Sequence, residues 1–154
     1  MNIFFGTISL LLSTYLGFLL SKKYTDRKKF YLSFCEFNKI LKNEISFSQK
    51  TIVEILKGRD GTDCFYKYLI SYFINKKELN LNVEYISKEE KDFLNNYVKT
   101  IGNSDKKTQI EYIESISCYL DKKSNEVSIE EKKYKKTYLK LGFLIGLILL
   151  IILL

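Results

Sequence analysis

The chain has no histidine, no tryptophan and no proline, and only three cysteines in 154 residues. Without histidine there is no side chain whose ordinary pKa lies near neutrality and no imidazole metal ligand, so triad-type hydrolysis is excluded. Cys35, Cys64 and Cys118 are too few and too far apart for a zinc site, and an odd number is a poor disulfide framework. They read as small buried hydrophobes in a reducing compartment. The seven glycines are scattered, so no glycine-rich loop is available to cradle a phosphate. Carboxylates are the remaining catalytic candidates, and none is paired by spacing. Glu89, Glu90 and Asp92 suit the positive end of a helix, and Glu130 and Glu131 precede a lysine run on a solvated helix. The composition therefore points away from an enzyme, and no cofactor, metal or small-molecule substrate is expected. The lack of proline also leaves long helices free to run unbroken.

What is present is positive charge, +7 in total, and its distribution decides its meaning. Residues 22–29 and 132–140 together hold ten basic residues against one acidic, leaving 15 basic and 17 acidic residues elsewhere. Both basic clusters flank apolar runs. A nucleic-acid groove would place the excess on the folded part instead, so nucleic acid is not an expected partner.

The upstream run, Ile3 to Leu20, has only threonine, serine, tyrosine and glycine among its apolar residues and spans about 27 Å as a helix, enough to cross hydrocarbon. A signal peptide is the weaker reading, because the positive charge follows the run rather than preceding it and no Ala-x-Ala cleavage pattern appears. The downstream run, Leu141 to Leu154, ends a stretch from Ser104 that contains no helix breaker before Leu141, so it reads as one helix of about 75 Å that changes solvent along its length. At about 21 Å the second anchor is short; Lys140 must snorkel and Tyr138 must sit at the interface. Lysines on the inner side of both runs put both flanks in the cytoplasm and both termini on the far side. The expected architecture is all-α: a transmembrane helix at 3–20, a cytosolic antiparallel helical bundle at 21–140, and a transmembrane helix at 141–154. Gly142 and Gly146 form a small-xxx-small pair, and Ser9, Ser13 and Gly17 repeat that spacing in the first run, so the anchors are candidates to pack on each other or on another protein's helices.

Within the bundle, Phe30, Phe34, Phe37, Leu41 and Ile45 form a helical stripe with Ile40 beside it. A short helix at Thr51 to Leu56 ends at Gly58, where residues 59–62 read as a turn, and Asp63 to Ile74 gathers Phe65, Leu69, Ile70 and Phe73 on one face. Leu79, Leu81, Val83 and Tyr85 alternate as a strand would, but lack a partner, and read as a connector lying over the bundle. Ser87 with Glu90 is a capping box before the stripe of Phe93, Leu94, Tyr97, Val98 and Ile101. Gly102 fits a helix end, and Ser104 or Asp105 caps the last helix. Along it, Ile113, Leu120, Val127, Tyr134 and Leu141 keep a seven-residue rhythm that thins after Leu120, so residues 122–137 are expected to form a more exposed stalk next to the membrane.

Two anchors around a helical domain, with Gly102, Ser104, Asp105 and Gln109 after an amphipathic helix, resemble stage III sporulation protein AB. Ser13, Thr14, Gly17 and Phe18, the segment Glu44, Ile45 and Phe47, and Leu141, Gly142 and Gly146 carry the same resemblance. One departure is Lys50 and Thr51, where that family usually has Thr-Pro; Tyr97 and Ile101 stand where phenylalanine and leucine are more usual. The resemblance implies a component of the channel between mother cell and forespore, lying in the mother-cell (outer forespore) membrane. The family's cytosolic domain is similar to that of type II secretion and type IV pilus inner-membrane platform proteins. Its implied partners are the other stage III channel proteins, including the cytosolic secretion-type ATPase of the same operon, to which it would act as adaptor.

Glu44, Gly102, Asp105 and Gln109 are candidates for the partner surface. Gly102 and Asp105 are also what a helix turn requires, and Glu44 and Gln109 are equally suited to hydrogen bonds inside the bundle. Two other classes compete: a purely structural spacer with no ATPase partner, and a self-assembling membrane protein of holin type, which the uncharged spans disfavour.

Overall fold

A computed structural model of the chain describes residues 2–48, 50–59, 63–77, 81 and 83–153. Every element among them is helical: α1 (Asn2–Asn43), a one-turn π-helix (Glu44–Ser48), α2 (Ile52–Lys57), α3 (Cys64–Phe73), α4 (Lys88–Thr100) and α5 (Lys106–Leu153). The chain divides into two compact units, one of residues 1–28 with 126–154, the other of residues 29–125. Helices α1 and α5 contribute to both. The boundaries expected at 20/21 and 140/141 fall inside these helices; they mark changes of side-chain character along a continuous backbone.

The unit of residues 29–125 has a core of large side chains. Phe34, Phe37, Leu41, Phe65, Leu69, Leu94, Tyr97, Ile113 and Leu120 are buried, as members of the stripes expected from these helices, while Ile45, Ile70, Phe73 and Phe93 of the same stripes are only half-buried. The rings interlock: Phe34 stacks on Phe65 with centroids 4.9 Å apart and meets Tyr97 edge-on at 4.8 Å. A buried polar knot ties three helices. Tyr97 Oη donates to Asn38 Oδ1 at 2.9 Å, while Asn38 Nδ2 donates to the Ile113 carbonyl at 3.2 Å and to Ser117 Oγ at 2.9 Å. Burial pushes the Tyr97 phenol far up, so it stays protonated and able to donate.

The caps follow the sequence closely. Ser87 and Glu90 form a reciprocal capping box, Gly102 sits at φ +84° after α4, and Asp105 Oδ2 accepts the Thr108 N–H at 3.2 Å to cap α5. Thr51 and Glu54 form a second box at the start of α2, which replaces the rigid start that a Thr-Pro pair would give. Leu81 and Val83 are buried in a connector that contains no strand among its described residues; Leu79 and residues 60–62 of the expected turn lie outside the described residues. Lys76, just beyond α3, holds φ 51°, a left-handed conformation unusual for a side chain with a Cβ.

The unit of residues 1–28 and 126–154 is built differently. Gly6, Gly17, Gly142 and Gly146 are buried, while Phe5, Leu12, Leu16, Phe18, Leu144, Ile145, Ile148 and Ile152 are exposed. One helix, Phe4–Ser48, is long and apolar enough by length and composition to cross a membrane, with a best-window mean hydropathy of 1.7. No second helix meets that measure among the described residues, which stop short of the end of the run 141–154.

Candidate functional site

Two features stand out, a groove in the unit of residues 29–125 and a seam of small residues in the other unit. The groove arises where α1 stops being an α-helix. Residues 44–48 form a π turn, the kind of local widening that is often kept at functional positions. It leaves Phe47 85% exposed, outside the buried stripe. Beside it is a cleft of about 490 Å³. Its apolar lining comes from Leu41 and Ile45, from Ile52 and Val53 of α2, from Phe73 of α3, and from Ile101; Lys50, Asn103, Lys106 and Gln109 supply polar groups. Lys106 Nζ donates to the Ser46 carbonyl at 2.9 Å, pinning the α4–α5 turn to the π segment. A second hollow of about 760 Å³ is lined by Ile40, Glu44, Ser48, Glu54, Ile55 and Arg59, and Lys50 borders both.

The expected surface residues take different positions. Gly102 and Gln109 line the first cleft, and a Cβ on Gly102 would meet Ile52 Cδ1 at 3.1 Å. Gln109 is buried but its side chain makes no hydrogen bond within the bundle among the described residues. Glu44 lies in the second hollow and accepts from Lys50 Nζ at 3.2 Å. The Ser48 hydroxyl and then Lys50 hold its carboxyl below the usual range. Asp105 lines neither; it is exposed, and the Thr108 side chain and N–H hold its carboxyl low. Its observed work is capping. Phe47, Lys50, Ile52 and Lys106 carry no site signal in the sequence. A one-turn π segment has no periodic signature, and Lys50 and Lys106 meet only after folding.

In the other unit Ser13, Gly17, Gly142 and Gly146 come together, and Ser9 is half-buried on α1. Ser13 Oγ donates to the Gly142 carbonyl at 2.7 Å. A Cβ on Gly17 would lie 2.5 Å from the Tyr138 carbonyl oxygen, one on Gly142 2.7 Å from the Ser13 carbonyl oxygen, and one on Gly146 2.8 Å from Leu10 Cα. Only glycine permits that approach. Beyond the seam, Tyr24 stacks on Tyr134 at 4.5 Å and lies 6.0 Å from Tyr138. Arg27 pairs with Glu130 at 2.9 Å, and Glu131 accepts from Thr25 and Lys28, both at 3.4 Å, and faces Lys135 at 3.6 Å. Residues 122–137, half of them exposed, nevertheless bury Val127 and Glu131. Charge pairing and ring stacking take over where the aliphatic stripe stops.

No cluster of three or more metal-ligating side chains occurs among the described residues. The family model for stage III sporulation protein AB matches residues 71–154. That match takes in Gly102, Asp105, Gln109, Gly142 and Gly146; Ser9, Ser13, Gly17 and Glu44 precede it. No curated protein and no solved structure matches the chain.

Proposed function

The chain belongs to the stage III sporulation protein AB family, and from that membership we propose that this sporulation protein is a non-enzymatic adaptor anchored in a membrane by two helices, residues 3–20 and 141–154. An antiparallel bundle, residues 21–140, lies in the cytosol and couples a secretion-type ATPase to the channel between mother cell and forespore. Both termini lie on the far side of the mother-cell (outer forespore) membrane, and the other stage III channel proteins are its neighbours. The observation that carries the membrane part is the inverted burial of residues 1–28 and 126–154: small residues inside, large apolar ones outside. That pattern is costly in water and natural in lipid, where helices associate through close packing and hydrogen bonds such as Ser13 to Gly142. Paired glycines and the tyrosine cluster support antiparallel packing of the two anchors.

The coupling surface in this reading is the cleft bordered by the π segment and the α4–α5 turn. An apolar floor with Lys50 and Lys106 at its edge and Phe47 beside it suits a partner segment that brings an apolar side chain and carboxylates. The test is a titration of the full chain, in lipid nanodiscs, against the ATPase of the same operon, with Ile45→Glu, Lys106→Glu and Asp105→Lys as comparisons. Saturable binding that weakens at least about tenfold in the first two variants supports the cleft as the coupling surface. A loss confined to Asp105→Lys moves the contact to the outer side of the turn. If the folded full chain shows no binding, a structural spacer without an ATPase partner becomes the better account.

A further inference from the structure

Six lysines in the unit of residues 1–28 and 126–154 have no carboxylate partner among the described residues. Of the unit's carboxylates, Glu130 and Glu131 are occupied by Arg27, Lys28 and Lys135, and neither Asp26 nor Glu126 forms an ion pair with any of the six. Lys22, Lys23, Lys132, Lys133, Lys136 and Lys140 are all exposed, and none forms an ion pair with a described residue. They are gathered at one level, because Tyr24 stacks against Tyr134 and lies near Tyr138, which brings residues 22–23 alongside residues 132–140. Two ammonium groups are also held in place: Lys23 Nζ lies 5.1 Å from the Tyr24 ring centre and Lys133 Nζ 5.7 Å from that of Tyr134. The exposed apolar girdle begins immediately beyond, at Leu20 on α1 and Leu141 on α5.

We propose that these lysines form a collar that binds the headgroups of anionic phospholipids, gathering them around the anchors. The proposal rests on the membrane reading given above. A lysine that is already paired gains little from a phosphate. These six pair with no carboxylate among the described residues, sit where an apolar belt meets water and ring a tyrosine cluster of the kind found at headgroup depth. Phosphate oxygens of anionic lipids are the acceptors that such a site lacks from its own chain. The collar would thus concentrate acidic lipid at the base of the protein and fix the depth of the short second anchor, whose Lys140 is only one residue from Leu141.

The test uses the full chain reconstituted in phosphatidylcholine vesicles that contain a trace of spin-labelled phosphatidylglycerol or spin-labelled phosphatidylcholine, with the motionally restricted lipid measured by electron paramagnetic resonance. The expected result is a preference for the glycerol lipid of more than about fivefold, the contribution of a single lysine near an anionic surface. That preference should weaken at high salt and collapse in the triple variant Lys132→Gln, Lys133→Gln, Lys136→Gln. A charge-matched control, Lys57→Gln, Lys67→Gln, Lys99→Gln, should leave it intact. Equal restriction of both lipids, or a preference untouched by the first triple variant, overturns the collar while leaving the anchors standing. Loss of the preference with inorganic phosphate, but not with chloride at the same ionic strength, overturns it in favour of a free-phosphate site. Failure of the protein to float with any vesicle overturns the collar together with the membrane reading.

Discussion

Replacing Gly17 by alanine is the most direct way to ask whether the glycine seam holds its two helices together. A Cβ at Gly17 would sit 2.5 Å from the Tyr138 carbonyl oxygen, and ordinary contact begins near 3.4 Å, so the facing backbones must separate by about 0.9 Å. A gap of that size forfeits roughly a quarter to a half of the dispersion attraction along the contact. Overpacking of this kind costs about 1–3 kcal/mol, and the upper half of that range applies because the obstacle is backbone and cannot rotate away. Gly142→Ala meets the Ser13 carbonyl oxygen at 2.7 Å and should cost a similar amount. Once one substitution has parted the helices the other finds room, so the double variant should cost less than the sum of the two. The assay is unfolding of the full chain in mixed micelles by rising dodecyl sulfate, followed by circular dichroism. Gly58→Ala is the control: nothing lies within 4 Å of its added Cβ, and it should stay within about 0.5 kcal/mol of wild type. The reasoning is refuted if Gly17→Ala unfolds with wild-type behaviour, or if the two glycine substitutions are strictly additive.

Tyr97→Phe removes the donor to Asn38 Oδ1 in a fully buried site and should destabilise the chain by about 1–3 kcal/mol in chemical denaturation; Asn38→Leu added to it should recover part of that loss. Asp105→Asn tests the pH dependence of the α5 cap. The Thr108 contacts depress the folded-state pKa of Asp105, so its stabilisation is present above the ordinary aspartate range and lost as pH falls through the depressed value. Asparagine caps comparably without titrating, so the variant should show a shallower acid-side loss of stability in denaturation profiles collected across pH. Lys76→Gly should raise the unfolding midpoint by an amount worth about 0.5–1 kcal/mol, since only glycine takes φ 51° without a Cβ penalty.

The helices and their ends were legible because their causes are local. The stripe of Phe30, Phe34, Phe37 and Leu41, the Ser87 and Glu90 box and the left-handed Gly102 each depend on residues within one or two turns, and all three are found as expected. The cleft was not legible, because its walls join positions from Leu41 to Gln109 and its shape depends on a π turn that leaves no periodic trace. Of the candidate surface, Gly102 and Gln109 reach the cleft, Glu44 lies in the adjoining hollow, and Asp105 is accounted for by its cap. Within residues 122–137 the burial of Glu131 was not legible, for a different reason. A stripe scored by aliphatic residues overlooks burial achieved by charge pairing, and Glu131 is buried with Thr25, Lys28 and Lys135 as its partners.

The two units follow opposite rules of size. In residues 29–125 the largest side chains are the most buried, with Tyr97, Phe37 and Phe65 at 0% exposure, so removal of apolar area from water holds that core together. In residues 1–28 and 126–154 the glycines are buried and leucine, isoleucine and phenylalanine are left outside, so the same driving force is largely unused. What remains there is directional or short-ranged: backbone approach at Gly17, Gly142 and Gly146, the Ser13 hydrogen bond, and the pairs made by Glu130 and Glu131. Such contacts fix a geometry without requiring water, which is the condition a membrane imposes. On the membrane reading proposed above, the exposed leucines and isoleucines would cost nothing to leave outside, and one backbone would serve two solvents by changing which size of residue it turns inward.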